Sequence, residues 1–210
     1  MSDEAGLFEV MYSCRAMRRI KPDPVPEALL VKLIDAADQA PSGSNQQRAR
    51  WIVVRDAAVR ARLAALNKAA VADYISPGGQ RPQSVAHQDD AKRERMLAAL
   101  RWQAEHMQQI PVLVVACMLF AGPPDDAERL RGAGSIWPGV QNLLLAARAL
   151  GLGATPTTLA LRESAAFRDA LHMPAELEPY CLIPLGWPLG RFGPVTRLPV
   201  EHTLRWDRWD

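Results

Sequence analysis

The chain has 210 residues, of which 49% are hydrophobic. This is enough to bury the core of one domain of ordinary size, whereas two full domains would need a longer chain. The 25 basic and 23 acidic side chains leave a net charge of +2, which excludes an overall attraction to nucleic acid or to an anionic membrane. No run of about 18 apolar residues is present and the N-terminus lacks a signal-peptide pattern, so we expect a soluble, cytoplasmic protein.

Cysteine and histidine positions do not indicate metal or triad chemistry. The three cysteines and four histidines lack the spacing of a metal site, a disulfide framework or a nucleophile–base pair: Cys14, Cys117, Cys181, His87, His106, His172 and His202. The Gly-rich motifs of Rossmann and P-loop nucleotide sites and the nucleophile elbow of α/β-hydrolases are also missing. Motifs alone therefore predict no catalytic side chain and no metal ligand.

A basic segment follows the first predicted helix. Asp3–Cys14 carries apolar residues at helical spacing. Arg15, Arg18, Arg19 and Lys21 come next, and three prolines then impose an extended path. Such a cluster can hold an anion, although basic runs are more often solvated surface, and the sequence leaves both interpretations open.

The next segments are predicted to form a helix, a polar loop and a strand. Glu27–Ala40 is amphipathic at helical spacing. The loop Pro41–Gln47 reads PSGSNQQ, and Trp51–Val54 has the apolar, β-branched character of a strand. The hydroxyl and amide side chains of the loop either satisfy turn backbone or bind the edge of a planar ligand, and the pattern does not decide between these two roles.

A segment without periodicity interrupts the middle of the chain. Asp56–Ala72 and Ala91–Gln109 are predicted helices. Between them, residues 73–91 are rich in Pro, Gly, Gln and Ser, a composition typical of a functional lid or a flexible excursion. Ile110–Met118 is an unbroken apolar run, as expected for a buried strand.

The most apolar helical stretch, Ser135–Gly153, predicts a central helix that is covered on all sides. Ser135 is the predicted N-cap, Pro138 lies in the first turn, and Gly151 can take the left-handed position after the last turn. A polar connection, Gly122–Gly134, precedes the helix. The central helix also has three polar residues, Gln141, Asn142 and Arg148. They indicate that one edge of the helix reaches a polar feature or a subunit boundary.

The last part of the chain contains one more strand and a long tail. Ala154–Thr158 is a predicted turn, Glu163–Leu171 a short helix and Tyr180–Gly186 a buried strand. Three strands separated by helices predict an α/β or α+β sheet covered by helices. Residues 187–210, rich in Pro, Gly and Arg, are predicted to form an extended arm, which in a symmetric oligomer can lie on the partner.

Four segments, in chain order, together resemble the FMN-dependent nitroreductase family: Cys14–Ile20, Ala40–Gln47, Ser135–Gly153 and Gly190–Pro199. They are similar to the family's basic N-terminal segment, its Ala-Pro-Ser-x-x-Asn-x-Gln signature, its central helix and its closing basic segment. The resemblance implies a single α+β domain over residues 1–210, with a sheet flanked by helices around the central helix. It also implies a homodimer that exchanges C-terminal arms and binds two FMN molecules at its interface.

The resemblance further implies a set of cofactor-binding residues. Arg15 would lie toward the phosphate of FMN and Arg18 near the pyrimidine edge of the flavin, while Arg197, with Arg191, would bind the phosphate. The polar loop would reach the FMN of the other subunit, and the predicted turn would lie beside flavin N5. The complete set is Arg15, Ala16, Arg18, Ser42, Ser44, Asn45, Gln47, Pro156, Thr157, Thr158, Arg191 and Arg197.

Some positions depart from the family pattern. Cys14 and Ala16 stand where the family often has Arg and Ser, so fewer side chains from this segment would contact phosphate, or backbone N–H groups would replace them. After the polar loop, Gln47-Arg48-Ala49 replaces the usual Gln-Pro-Trp.

The implied activity is ping-pong transfer of a hydride from NADH or NADPH to N5 of FMN and onward to a small oxidised acceptor, such as a nitroaromatic or a quinone. Because the cofactor carries this chemistry, no catalytic side chain is required. Two further possibilities stay open: a family member with different flavin chemistry, either dehalogenation or flavin fragmentation, and a flavin-binding dimer without NAD(P)H turnover.

Overall fold

A four-stranded antiparallel sheet organises the fold. The computed structural model describes residues 6–79 and 89–209. Its strands, in the spatial order β1-β2-β4-β3, are β1 (Ala49–Val54), β2 (Val112–Leu119), β3 (Gly153–Ala154) and β4 (Leu177–Gly186). The helices are α1 (Leu7–Ser13), α2 (Glu27–Asp38), α3 (Ala57–Ile75), α4 (Asp90–His106), α5 (Asp126–Ala149) and α6 (Ser164–Ala170). The predicted α+β fold is therefore confirmed.

Both faces of the sheet are covered by helices. Side chains at even positions of β2, from Val112 to Met118, pack with α2 and α5, whereas Leu113, Val115 and Cys117 pack with α3 and α6. A strand buried on both faces needs apolar side chains at every position, which is the reason that its sequence is an unbroken apolar run. The predicted helix and strand periodicities in this part of the chain are thus confirmed, with small shifts of their ends.

The edge strand β3 was not predicted. It consists of two residues and pairs Gly153 with Gly186 and Ala154 with Leu185 of β4. The prediction ended the central helix at Gly153 and began a turn at Ala154, because a strand of two residues is too short to produce an alternating pattern. Gly151, with a φ of 76°, takes the left-handed conformation predicted for it after the last helical turn.

The central helix α5 begins earlier than predicted. Its N-cap is Asp125, not Ser135, and the cap is a reciprocal one: Glu128 N donates to Asp125 Oδ1 at 2.7 Å, and Asp125 N donates to Glu128 Oε2 at 3.1 Å. Most of the predicted polar connection Gly122–Gly134 is therefore helical, and Pro138 lies inside the helix. Gly132 is needed because a Cβ there would collide with Tyr180 Oη and Phe120.

The prediction that α5 is covered on all sides is also wrong for a single protomer. Ile136, Val140 and Leu143 are buried against the sheet. On another side, the Trp137 side chain is 38% exposed and Leu144 is only half-buried. An apolar side of the central helix therefore remains partly open.

The segment predicted as a lid or excursion is shorter than residues 73–91. Helix α3 continues through Ile75, and Asp89 caps α4 by accepting a hydrogen bond from Lys92 N at 2.7 Å. Residues 80–88 lie outside the described residues. The lid role stays a prediction.

The C-terminal arm runs back along the N-terminal basic segment. Lys21 N donates to Trp187 O at 2.7 Å, Leu189 N donates to Arg19 O at 2.9 Å, and Val195 N donates to Tyr12 O at 2.8 Å. Beyond these contacts, the one regular element among the described residues of the arm is a short 3₁₀ turn at Val200–His202. The basic segment and the first part of the arm are therefore joined by backbone hydrogen bonds.

Candidate functional site

Three of the predicted site segments meet in one protomer. The basic segment packs on β3 through a hydrogen bond from Met17 N to Ala154 O of 3.2 Å. A Cβ at Gly153 would lie 2.8 Å from Ile20 Cδ1 and 2.9 Å from Met17 Cβ, so glycine is required for this approach. The arm lies on the other side of the same segment. The basic segment is thus held between the predicted turn and the arm.

Arginines from both ends of the chain lie in this region. A Cβ at Gly193 of the arm would be 3.5 Å from Arg15 Nη1, which places the Arg15 guanidinium against the arm. Burial raises the pKa of the Cys14 thiol, and the positive charges of Arg148 and then Arg197 act against that increase. Arg197 therefore lies within electrostatic reach of the basic segment. By contrast, Arg191 makes no hydrogen bond or ion pair with a described residue.

Arg18 points toward the end of α3. Burial lowers the pKa of Arg18, and the neighbouring phenol of Tyr74 acts against that change. An arginine still keeps its proton at any physiological pH, because its ordinary pKa is above about 12. Arg18 is thus a permanent cation that is partly withdrawn from water, and Tyr74 is a neighbour that the sequence did not predict. Ala16 is exposed and contributes no polar side chain.

The two threonines of the predicted turn have different surroundings. The backbone of Thr157 pairs with Leu182 through hydrogen bonds of 2.8 and 2.9 Å. The Thr157 hydroxyl donates to Asn67 Oδ1 at 3.4 Å and accepts from Leu159 N at 3.3 Å, so the polar groups of Thr157 are all used within the protein. Thr158 is exposed, and among the described residues its N–H and hydroxyl have no partner. Pro156, just before them, is half-buried.

The polar loop is held together by its own side chains. Ser42 Oγ accepts from Gln47 N at 3.1 Å, and Gln47 Nε2 donates to Asn45 Oδ1 at 3.2 Å. Ser44, Asn45 and Gln47 have φ values of 51°, 52° and 50°, a left-handed conformation that is uncommon outside glycine and that the loop imposes on three residues. Gly43 N donates to Ser135 Oγ at 3.2 Å, which anchors the loop to α5. Ser135 thus stabilises the loop and not the start of the helix.

A cleft of about 340 Å³ lies behind the loop, between the end of β2 and the N-terminal half of α5. Its lining includes Ser42, Ser44 and the side chains of Arg48 and Arg131. In the described part of the chain, neither of these arginines has a carboxylate partner. Because Glu128, Met118 and Phe120 also line the cleft, its surface carries charges of both signs beside apolar side chains.

The loop is separated from the basic segment along the central helix. The loop is anchored at Ser135, near the middle of α5, while the N-terminal segment contacts the C-terminal end of α5, where Arg148 Nε donates to Ser13 Oγ at 2.9 Å. At about 1.5 Å per residue, Ser135 and Arg148 are about 20 Å apart along the helix axis. One protomer therefore does not bring the loop residues Ser42, Ser44, Asn45 and Gln47 to Arg15, Arg18 and Arg197.

Some residues near the candidate site carried no recognisable motif. Asn67 is only 1% exposed and belongs to α3, and Tyr74 lies at the end of the same helix. Arg148 was noted in the sequence as a polar residue on an apolar helix, and the polar feature that it reaches is Ser13. The described residues contain no group of three or more His, Cys, Asp or Glu side chains placed to hold a metal ion. Nor does any helix among them have the length and apolar character needed to cross a bilayer.

Comparison with known proteins agrees with the arrangement of these elements. The model of the nitroreductase family matches residues 12–187. The chain belongs to the nitroreductase family. The match includes the basic segment, the polar loop, α5 and the predicted turn, so the resemblance noted in the sequence is confirmed.

The names of proteins similar to this family member describe several different redox activities. The chain is 29% identical over 197 residues to an NADH dehydrogenase of Thermus thermophilus, covering 91% of each chain. Its fold is similar to that of an iodotyrosine deiodinase bound to FMN and 3-iodo-L-tyrosine, with a TM-score of 0.74, 21% identity and coverage of 97% of this chain and 100% of the other. It is also similar to the NADPH:FMN oxidoreductase from Vibrio harveyi in complex with NAD⁺, with a TM-score of 0.72, 19% identity and coverage of 97% and 78%. At these identities the two structures show the fold alone.

Proposed function

We propose that this nitroreductase is an FMN-dependent oxidoreductase that accepts a hydride from NADH or NADPH and reduces a small oxidised acceptor, such as a nitroaromatic or a quinone. The family assignment supports the FMN-dependent oxidoreductase class. A nicotinamide donor is supported by the names of relatives, an NADH dehydrogenase and an NADPH:FMN oxidoreductase. The observation that carries the proposal is that the basic segment, with Arg15 and Arg18, contacts both the arm that carries Arg197 and the short strand before the turn that contains Thr158.

The residues present fit the phosphate end of FMN. A phosphate dianion is best bound by guanidinium groups, which offer paired N–H donors in a fixed plane. Arg15 contacts the arm at Gly193 and Arg197 is within electrostatic reach of Cys14, and neither has a carboxylate partner among the described residues. Apart from the bond that Arg197 Nη1 donates to Thr196 O, their guanidinium donors are available. In this proposal Arg15 and Arg197 bind the phosphate, and Arg191 joins them from the exposed arm.

Arg18 would stabilise the negative charge of the reduced flavin ring. FMN supplies hydride chemistry when it is bound, and its reduced ring carries negative charge at the pyrimidine edge. A permanent cation that is partly shielded from water stabilises such a charge more strongly than an exposed one. In this proposal Arg18 raises the reduction potential and transfers no proton, since a guanidinium keeps its proton at physiological pH.

Thr158, and not Thr157, is the residue of the turn that can donate to flavin N5. Thr157 already uses its N–H, its carbonyl and its hydroxyl within the protein, with Leu182 and Asn67 as partners. Thr158 keeps both an N–H and a hydroxyl without a described partner. Thr157 then fixes the turn, while Thr158 contacts the cofactor.

The active form in this proposal is a homodimer. The polar loop of one protomer is anchored about 20 Å along α5 from Arg148, so its residues reach an FMN site only in a partner subunit. Apolar surface supports such a partner: the side chains of Leu7, Phe8 and Tyr12 on α1 are 61%, 68% and 66% exposed, and Trp137 on α5 is 38% exposed. The partner would cover this surface, and the last part of the arm, beyond Arg197, would reach across to it.

A second candidate function keeps the same site but changes the acceptor. A relative named iodotyrosine deiodinase from Thermotoga neapolitana, 24% identical over 186 residues, favours reductive dehalogenation as that second function. The deciding experiment is oxidation of NADH and NADPH, followed with a nitroaromatic, a quinone and 3-iodo-L-tyrosine as acceptors. Turnover with the first two supports the proposal, iodide release from the third supports the second candidate, and flavin that neither nicotinamide reduces indicates a binding protein without turnover.

A further inference from the structure

The basic segment lacks one of its expected cations. The family pattern that the segment resembles begins with two arginines, whereas this chain has Cys14 followed by Arg15. The Cys14 side chain cannot bind phosphate as an arginine does, and it is half-buried, with Sγ donating to Leu144 O at 3.6 Å. The side chain at position 14 therefore points toward the last turns of α5.

Arg148 is the cation that α5 brings to the same place. It lies one turn beyond Leu144, and its Nε donates to the hydroxyl of Ser13, the neighbour of Cys14. Its guanidinium carbon lies 4.4 Å from the centre of the Phe192 ring, which belongs to the arm between Arg191 and Gly193. The Arg148 side chain is thus fixed between the basic segment and the arm, the two segments that carry Arg15 and Arg197.

The charge of Arg148 is only weakly compensated. Within the described residues its one ion pair is with Glu9, at an N···O distance of 3.8 Å, and the Glu9 side chain is 66% exposed to water while that of Arg148 is 17% exposed. An exposed, long ion pair of this kind contributes little energy. The positive charge of Arg148 also acts on the pKa of Cys14 more strongly than that of Arg197 does. Arg148 therefore presents positive charge at position 14.

We propose that Arg148 supplies the guanidinium that position 14 lacks and binds the phosphate of FMN together with Arg15 and Arg197. This inference rests on the proposed function. It explains how a chain with cysteine at the first position of the basic segment retains enough positive charge for a phosphate dianion. It also gives α5 a binding role at its C-terminal end, whereas the polar loop is anchored near its middle.

The test compares the affinities of FMN and riboflavin, because riboflavin has the same ring and ribityl chain but no phosphate. In the variant Arg148→Met, which keeps an apolar contact with Phe192, we expect the dissociation constant of FMN to rise about tenfold and that of riboflavin to change less than about twofold. The matched control is Arg129→Met, on the same helix but paired with Asp126 and Glu178, which should leave both constants unchanged. Fluorescence titration of the flavin-free proteins, the unaltered chain and both variants, measures the dissociation constants of FMN and of riboflavin.

A second pair of variants separates phosphate binding from a structural role. In the double variant Cys14→Arg, Arg148→Met, a guanidinium returns at position 14, and FMN affinity should recover most of the loss. In Glu9→Gln the weak partner of Arg148 is removed, so FMN should bind about twofold tighter while riboflavin is unaffected. The Glu9 variant also tests the proposal if Arg148→Met does not fold.

Several outcomes would overturn the inference. Equal losses for FMN and riboflavin in Arg148→Met would mean that Arg148 only supports the arm, and an unchanged FMN affinity would remove it from the site. Unchanged or weaker FMN binding in Glu9→Gln would contradict it as well. Failure of the unaltered chain to bind either flavin would instead reject the proposed function, so the two failures can be distinguished.

Discussion

The hydroxyl of Thr157 donates a hydrogen bond to Asn67 Oδ1, 3.4 Å away, and thereby ties the turn after β3 to the middle of α3. Asn67 is 1% exposed, so its amide lies among apolar side chains and cannot obtain a compensating hydrogen bond from bulk water. The contact joins an element of the fold to the segment that is proposed to lie beside flavin N5.

Substitution of Asn67 by Leu should destabilise the protein. The change leaves the half-buried Thr157 hydroxyl without its acceptor, and the loss of one side-chain hydrogen bond costs about 0.5–1.5 kcal/mol in the free energy of unfolding. The measurement is urea denaturation of Asn67→Leu, Thr157→Val and the double variant. Because the double variant has no unpaired hydroxyl, its loss should be smaller than the sum of the two single losses. Strictly additive losses would show that the two residues do not interact.

Thr158 and Thr157 should have separable effects on the flavin. Thr158→Val removes the hydroxyl that has no partner in the described structure, so we expect a changed flavin reduction potential with an unfolding free energy within about 0.5 kcal/mol of the unaltered chain. Thr157→Val is the matched control, with the opposite pattern of lower stability and an unchanged potential. A potential that responds to Thr157→Val and not to Thr158→Val would reverse the assignment of the two threonines.

Arg197→Ala should weaken FMN binding by the loss of one charge-assisted contact, on the order of 1.5–3 kcal/mol. Isothermal titration of the flavin-free protein measures this difference. Arg55→Ala is a suitable control, because Arg55 lies just after β1 and pairs with Glu27, away from the basic segment. If Arg197→Ala binds FMN as tightly as the control does, Arg197 is not part of the phosphate site.

The cysteines should make stability fall in alkaline solution. Burial raises the pKa values of Cys117 and Cys181 from 9.0 to about 12, so these thiols stay protonated in the folded chain while they ionise in the unfolded chain. The unfolded state therefore binds fewer protons between about pH 9 and 12, and the free energy of unfolding should decrease as pH rises through that range. Replacement of both residues by Ala should flatten this decrease in urea denaturation at pH 8 and pH 10.

Thiol labelling gives an independent check of the same burial. At pH 8, a disulfide reagent should label Cys14 slowly, since burial raises its pKa too, and should leave the completely buried Cys117 and Cys181 unlabelled until urea is added. Rapid labelling of all three cysteines in the folded chain would contradict the placement of β2 and β4 in the core.

Local periodicity was sufficient to predict several elements of the fold. The apolar face of α2 and the continuous apolar run of β2 follow directly from burial on one side and on two sides of the sheet. The first turns of α5 were missed because glycine and charged residues favoured a loop, whereas Gly132 is present so that the helix can approach Tyr180. Such a packing requirement depends on a residue distant in sequence and leaves no local signal.

The candidate site was predictable only in part for the same reason. The family resemblance predicted Arg15, Arg18 and Arg197 as site residues, which stays a prediction, and the fold brings the basic segment and the arm together. Asn67 and Arg148 belong to helices that meet the turn and the basic segment only in three dimensions. Because no sequence motif connects these residues with the other segments, only the contacts in the structure indicate their proposed roles.

The most direct test of the proposed function is the visible spectrum of the purified protein after incubation with FMN and removal of free flavin, recorded before and after NADPH is added under nitrogen. We expect one FMN per chain, with a flavin absorption band that bleaches on addition of NADPH or, for the other nicotinamide, NADH. A protein that remains colourless after incubation with FMN would contradict the cofactor site proposed for Arg15, Arg18 and Arg197.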